Sequence, residues 1–152
     1  MVRSAKRRKT VAARVVGDVL EVRLPAWMDA AAEAEWVERF RTRFERRRVA
    51  DDDALVARAA RLADRHGLPR PSSIRWSDSQ EWRWGSCTPA TGAIRISTRV
   101  AAFPDWVQDH VVLHELAHLV EPNHGPAFKA IVARHPLAER ATGYLMAKGG
   151  DA

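Results

Sequence analysis

The feature that most constrains this chain is a long apolar segment carrying two histidines at helical spacing. Between Pro104 and Pro122 stand Val107, Val111, Val112, Leu113, Leu116, Leu119 and Val120, and set among them are His114, Glu115 and His118. A helix that is apolar all round belongs in a protein interior. Two imidazoles placed there are costly unless they have partners. Residues four apart share a helix face, with Cβ atoms about 5–6 Å apart, so His114 and His118 can converge on one ion. Glu115 is turned about 100° from His114, off the histidine stripe but beside any water the ion activates. Pro122 disfavours helical geometry in the residue before it, so the helix is expected to run to about Glu121, and His124 follows the turn. A catalytic zinc takes three protein ligands and keeps one position open. His114, His118 and His124 are therefore the expected ligands, Zn2+ the expected cofactor and Glu115 the expected general base. Glu121, one turn beyond His118, is expected to orient a ligand imidazole rather than displace His124. His110 is expected to be a hydrogen-bonded core residue, and His66 and His135 to serve at helix ends.

The rest of the chain reads as one α+β domain over residues 11–150, behind a basic tail of residues 1–10. Val11–Val16 and Val19–Leu24 flank Gly17-Asp18 and predict a β-hairpin. Trp36, Val37, Phe40 and Phe44 recur at helical spacing within a helix from about Ala30 to Arg48. Asp51-Asp52-Asp53 opens a second helix, which His66-Gly67-Leu68-Pro69 closes. Alternation then predicts three short strands at Ser73–Ser77, Gln80–Trp84 and Ala93–Ser97, with a loop at Thr88–Gly92. Gly125-Pro126 starts a further helix with Phe128, Ile131 and Val132 inward, and a last short helix covers residues 137–148. The expected sheet is small and antiparallel or mixed.

Composition closes off several function classes. No apolar run approaches the roughly 18–20 residues that span a bilayer, and the basic start Met1–Lys9 is not followed by the apolar stretch of a secretory signal. A cytoplasmic setting is expected. Cys87 is the only cysteine, which excludes an internal disulfide and a four-cysteine zinc ribbon. The formal charge is +6, and it is unevenly placed: basic residues dominate residues 1–75, while residues 76–152 are nearly balanced. Such a half either keeps the protein soluble or meets a polyanion such as nucleic acid.

Arg83-Trp84-Gly85-Ser86-Cys87, Ile94-Arg95-Ile96-Ser97, Pro104, the histidine motif and Asn123-His124-Gly125-Pro126-x-Phe128 together resemble the YgjP-like metallopeptidase family, which is related to SprT-like proteases and minigluzincin-type zincins. The resemblance covers most of the chain. It implies a zincin-like α+β fold, zinc at His114, His118 and His124, and Glu115 as base. Metzincins space their third histidine similarly but carry Gly where this chain has Glu121, and Ser97 stands where many relatives carry Asn. The family is described mostly as metal-dependent hydrolases, with nucleoside-triphosphate pyrophosphatase activity also attributed to it.

Substrate readings remain plural at this level. A metallopeptidase would use a zinc-activated water and Glu115, with Arg83, Arg95 and Tyr144 as candidate substrate or oxyanion contacts. Gly85 would let a substrate backbone approach a sheet edge, or it marks a bulge beside the packing residues Trp82 and Trp84. Cys87 reads as a small buried residue rather than a nucleophile. A nucleoside triphosphate pyrophosphatase would use the same metal, although no Walker-type phosphate loop is present. A DNA-associated protease would use the basic half. A purely structural metal module fits poorly with three ligands and a retained glutamate.

Overall fold

The computed structural model describes residues 2–4 and 10–149. The basic run Lys6-Arg7-Arg8-Lys9 of the expected tail lies outside the described residues. Strands and helices fall into two compact units, residues 1–48 and 49–152, each with its own three-stranded mixed sheet. No described helix is long and apolar enough to cross a membrane.

In the first unit, β1 (Val2–Ser4) lies parallel to β3 (Val19–Pro25), and β2 (Ala12–Val16) pairs with the other side of β3 antiparallel. The β2–β3 connection is the expected hairpin, with Gly17 at φ 62°, a left-handed conformation that suits glycine. Val22 and Leu24 are buried on β3. Helix α1 (Ala30–Val49) follows, and Asp29 Oδ1 accepts from Ala32 N at 2.8 Å to begin it. Glu33 of α1 is buried and takes Arg3 of β1 at 2.7 Å. Trp36, Val37, Phe40 and Phe44 are half-buried. Some of the basic residues here are internally paired: Arg14 and Arg23 share Glu21, and Arg41 meets Glu38.

The second unit is built around one helix. Strands β4 (Ser73–Ser77), β6 (Ala93–Ser97) and β5 (Gly85–Thr88) lie in the order β4-β6-β5, with β4 parallel and β5 antiparallel to the central β6. Helix α3 (Asp105–Ala117) packs Val107, Val111, Val112 and Leu116 into a core shared with α2 (Asp52–His66), β4 and β6. Its other side packs Leu113 and Ala117 against Phe128 and Ile131 of α4 (Pro126–Val132). Helix α5 (Ala138–Ala147) adds Leu145 to the first core. Charged residues on α3 are also engaged, Arg58 of α2 reaching both Asp105 and Asp109. Arg61 reaches Asp109 as well, at 3.0 Å.

Two boundaries differ from the sequence reading. Residues 80–84 do not form the strand between β4 and β6 in sequence; that strand is Gly85–Thr88, which opens on glycine, a residue depleted in strands. Pairing with β6 overrides propensity, and Trp84 O accepts from Ser97 N at 2.9 Å just ahead of it. Helix α3 ends at Ala117 rather than near Glu121. Beyond it, Leu119 N and Val120 N bond to carbonyls three residues back, Leu116 and Ala117, the tighter pattern of a closing turn.

Helix α2 shows how a cap joins elements. Asp51 Oδ1 accepts from Asp53 N at 2.9 Å and Ala54 N at 3.2 Å, while its backbone O accepts from Trp76 Nε1 at 3.0 Å. Gly67, at φ 65°, closes the helix. Asp51→Ala removes only the side-chain cap and should lower stability by about 1 kcal/mol. Urea unfolding followed through tryptophan emission measures it, and an unchanged midpoint would contradict the cap's contribution.

Candidate metal centre

A cleft of about 450 Å3 is lined by residues of α3 and by the chain leading into and along β5. His114 sits in the last turn of α3 and His118 is its capping residue, still in right-handed helical geometry. Glu121 N reaches back to Ala117 O at 2.9 Å, and the chain then passes Pro122 and returns with His124. The donor nitrogens of His114, His118 and His124 all lie within 4.8 Å of one another. His118 and His124 Nε2 are 3.0 Å apart.

The chemistry of this donor set fits a metal ion. Burial first, then the neighbouring imidazoles, pushes His114 down to about 3, and burial also lowers His118. Both rings are therefore neutral at physiological pH and offer lone pairs rather than protons. His118 Nδ1 lies 3.1 Å from the backbone O of Glu121. A carbonyl only accepts, so Nδ1 carries the proton and Nε2 is left free as a donor to metal. The expected orienting role of Glu121 is thus filled by its main chain. Phe128 contacts the whole set, stacked on His118 at 4.6 Å between ring centroids and edge-on to His114 and His124 at 4.8 and 4.7 Å. The sequence marks Phe128 as an inward residue of α4 and as the end of the Asn123–Phe128 motif, without giving it a place beside the histidines.

Glu115 points to the other wall of the cleft and is 5% exposed. A Cβ on Gly85 would stand 2.7 Å from Glu115 Oε1 and 2.9 Å from its Cγ. Gly85 pairs in register with Ile96 and so is not a bulge, and its missing Cβ clears the space that the glutamate occupies. Burial pushes the Glu115 carboxyl up to about 8, against the charge of Arg83, which draws it down. Cys87 is half-buried in the same wall, its thiol pushed up to about 11 by burial and by Glu115.

The remaining predicted residues divide. Arg83 and Gly85 line the cleft. Arg95 is exposed on β6 across from Ser86 and does not line it. Tyr144 is held between the rings of Phe103 and Trp106, at 5.2 and 5.7 Å, and does not line it either. Trp82 is 88% exposed while Trp84 is buried. Ser97 is buried, donating to Gln80 O at 3.0 Å and accepting from Arg99 N at 3.3 Å, so it shapes the loop that leads into β5. His135 works at a helix start: its Nδ1 accepts from Leu137 N and its Nε2 donates to Trp106 O, each at 2.9 Å.

The raised thiol makes Cys87 a poor nucleophile at neutral pH. In chelator-treated protein at pH 8, iodoacetamide should modify it about a hundredfold more slowly than in urea-unfolded chain, whose thiol titrates near 8.5. The native rate should climb as pH approaches 11, and Glu115→Gln, by removing a neighbouring charge, should speed it. Equal native and unfolded rates at pH 8 would refute this account of the cysteine.

Two solved structures share this architecture. The metallopeptidase zymogen of Pyrococcus abyssi abylysin aligns with a TM-score of 0.55 at 20% identity, over 61% of this chain and 92% of that one. The metallopeptidase zymogen of Methanocaldococcus jannaschii jannalysin aligns with a TM-score of 0.53 at 17% identity, over 64% of this chain and 96% of that one. At such identities the likeness is one of fold. Among curated proteins no sequence is significantly similar. The model of the YgjP-like metallopeptidase domain matches residues 9–144, nearly the whole chain, and the protein belongs to the YgjP-like metallopeptidase family.

Proposed function

We propose that this metallohydrolase is a zinc-dependent peptidase in which His114, His118 and His124 hold the ion and Glu115 is the general base. The observation that carries this reading is the meeting of three imidazoles and one buried carboxyl in a single cleft beside an edge strand. Three imidazole donors with no protein carboxylate among them suit zinc. Bound there, zinc would supply Lewis acidity, making water nucleophilic near neutral pH.

The chain's own residues do the rest. Glu115, held in a dry wall, is a stronger base than an exposed carboxylate and takes the water's proton at its carboxylate oxygen. The same carboxyl then delivers that proton to the departing amine. Strand β5 is bonded to β6 on one side and is the sheet's edge on the other, so an extended peptide can add alongside it. Arg83, exposed at the rim, is placed to hold a substrate carbonyl or acidic group. Among the described residues it is the only lysine or arginine lining the cleft. A nucleoside triphosphate brings several negative charges, and this lining favours a peptide over it.

Turnover of peptides, with Glu115→Gln as control, tests the reading. Glu115→Gln should keep zinc and fold while losing roughly 10²–10⁴-fold in rate. His114→Ala, His118→Ala or His124→Ala should each lower zinc content by elemental analysis. A Glu115→Gln enzyme as fast as wild type, with zinc retained, would exclude the mechanism.

Gly85→Ala should cut the rate without removing metal, because the new methyl must displace the glutamate. The acid limb of kcat/KM gives a further measure. Glu115 works only when ionised, so activity falls as pH drops through its pKa. Arg83 lowers that pKa, and Arg83→Ala should move the limb to higher pH. A limb that stays in place would separate Arg83 from the base.

A further inference from the structure

Two arginines stand side by side on the open face of the second sheet. Arg75 of β4 and Arg95 of β6 are register partners on neighbouring parallel strands. Ile74, Trp76, Ile94 and Ile96 are buried on the core side, so by alternation Arg75 and Arg95 turn together to the other side, where both are exposed. Neighbouring strands lie about 4.8 Å apart, and like charges directly opposite each other destabilise a sheet. Strands β4, β5 and β6 carry no Asp or Glu to offset the pair. Among the described residues no carboxylate ion-pairs with either one, although Arg58, Arg61 and Arg70 of the same unit all have acidic partners.

The first sheet shows how this chain settles such a cluster. Arg14 of β2 and Arg23 of β3 share one carboxylate oxygen of Glu21, at 3.0 and 2.7 Å. The second sheet has the two cations and lacks the carboxylate. Ser86 of β5 is the register partner of Arg95, so Ser86, Arg95 and Arg75 form one row running inward from the sheet's edge. Ser86 is short, and Gln80, whose Nε2 donates to its Oγ at 2.5 Å, brings no charge. Gly85, the residue before Ser86, faces the other way and meets Glu115. Strand β5 thus carries the catalytic wall on one face and the start of the arginine row on the other.

We propose that Arg75 and Arg95 form an exosite for an acidic side chain of the substrate, so that the enzyme selects peptides carrying Glu or Asp at one position near the scissile bond. This rests on the peptidase reading above and narrows its substrate class. An extended peptide added beside β5 continues the row, and its residue level with Ser86 turns to the same face. Its backbone lies two strand spacings, about 10 Å, from β6, a gap that the long side chains of glutamate and Arg95 bridge over Ser86. Arg75, beside Arg95, supplies the second cation. The incoming carboxylate takes the place that Glu21 holds in the first sheet, and guanidinium groups suit a carboxylate's two oxygens.

The test uses zinc-loaded full-length protein and peptide pairs identical except for Glu or Gln at each position flanking the cut. At one position the Glu peptide should have a KM about fivefold lower, with kcat alike for the two peptides, and the advantage should shrink at high salt. Arg75→Ala and Arg95→Ala should each reduce that ratio, and Arg95→Glu should reverse it in favour of a Lys peptide. A ratio that survives both alanine variants overturns the exosite. Cleavage with no preference for Glu also overturns it and leaves the peptidase reading intact. A second measurement needs no turnover: in zinc-loaded Glu115→Gln protein, the Nε–H resonances of Arg75 and Arg95 should move with the Glu peptide and not with the Gln one. Such movement, with no peptide cleaved by the wild type, supports the exosite and overturns the reaction. Resonances that answer to an oligothymidylate and not to the acidic peptide overturn the exosite in favour of a nucleic-acid surface.

Discussion

Helix α3 is packed by α2, β4 and β6 on one side and by α4 on the other, and the centre depends on that enclosure. A helix in such surroundings takes most of its polar side chains out of water, and those need fixed neighbours, while Asp105 at its start stays exposed. Asp105 and Asp109 are tied to Arg58, His118 to a main-chain carbonyl, and Glu115 to the gap left by Gly85. The reacting groups are therefore held by their surroundings before substrate arrives. That is the preorganisation on which transition-state stabilisation rests.

The same enclosure sets the protonation states. Low polarity disfavours charge of either sign, which raises Glu115 and Cys87 and lowers His110 and His114. One environment thus yields a carboxyl that holds its proton up to about pH 8, neutral imidazoles and a quiet thiol within one cleft. Arg83 is the counterweight, a cation at the rim acting on the buried acid.

The clustering of His114, His118 and His124 was legible because helical periodicity is a strong signal. His114 and His118 four apart, and a proline that forces a turn before His124, leave few other geometries. Helix α2 and the β2–β3 hairpin were legible for the same reason, through Asp51, Gly67 and Gly17. What could not be read were relations between distant segments. Gly85 faces Glu115 across the cleft, and no local pattern links positions thirty residues apart. Strand β5 was misplaced because its residues suit pairing with β6 rather than any intrinsic preference. The division into two compact units also left no mark in composition, since its boundary falls within the last turn of α1.

The carbonyl of Glu121 that steers His118 has an evolutionary consequence. Information about the metal ligand is stored there in the path of the backbone, which many side chains can follow. Drift at that position can proceed without touching the histidine it orients. A substitution at position 121 that keeps the backbone path leaves that carbonyl, and the His118 tautomer it selects, in place.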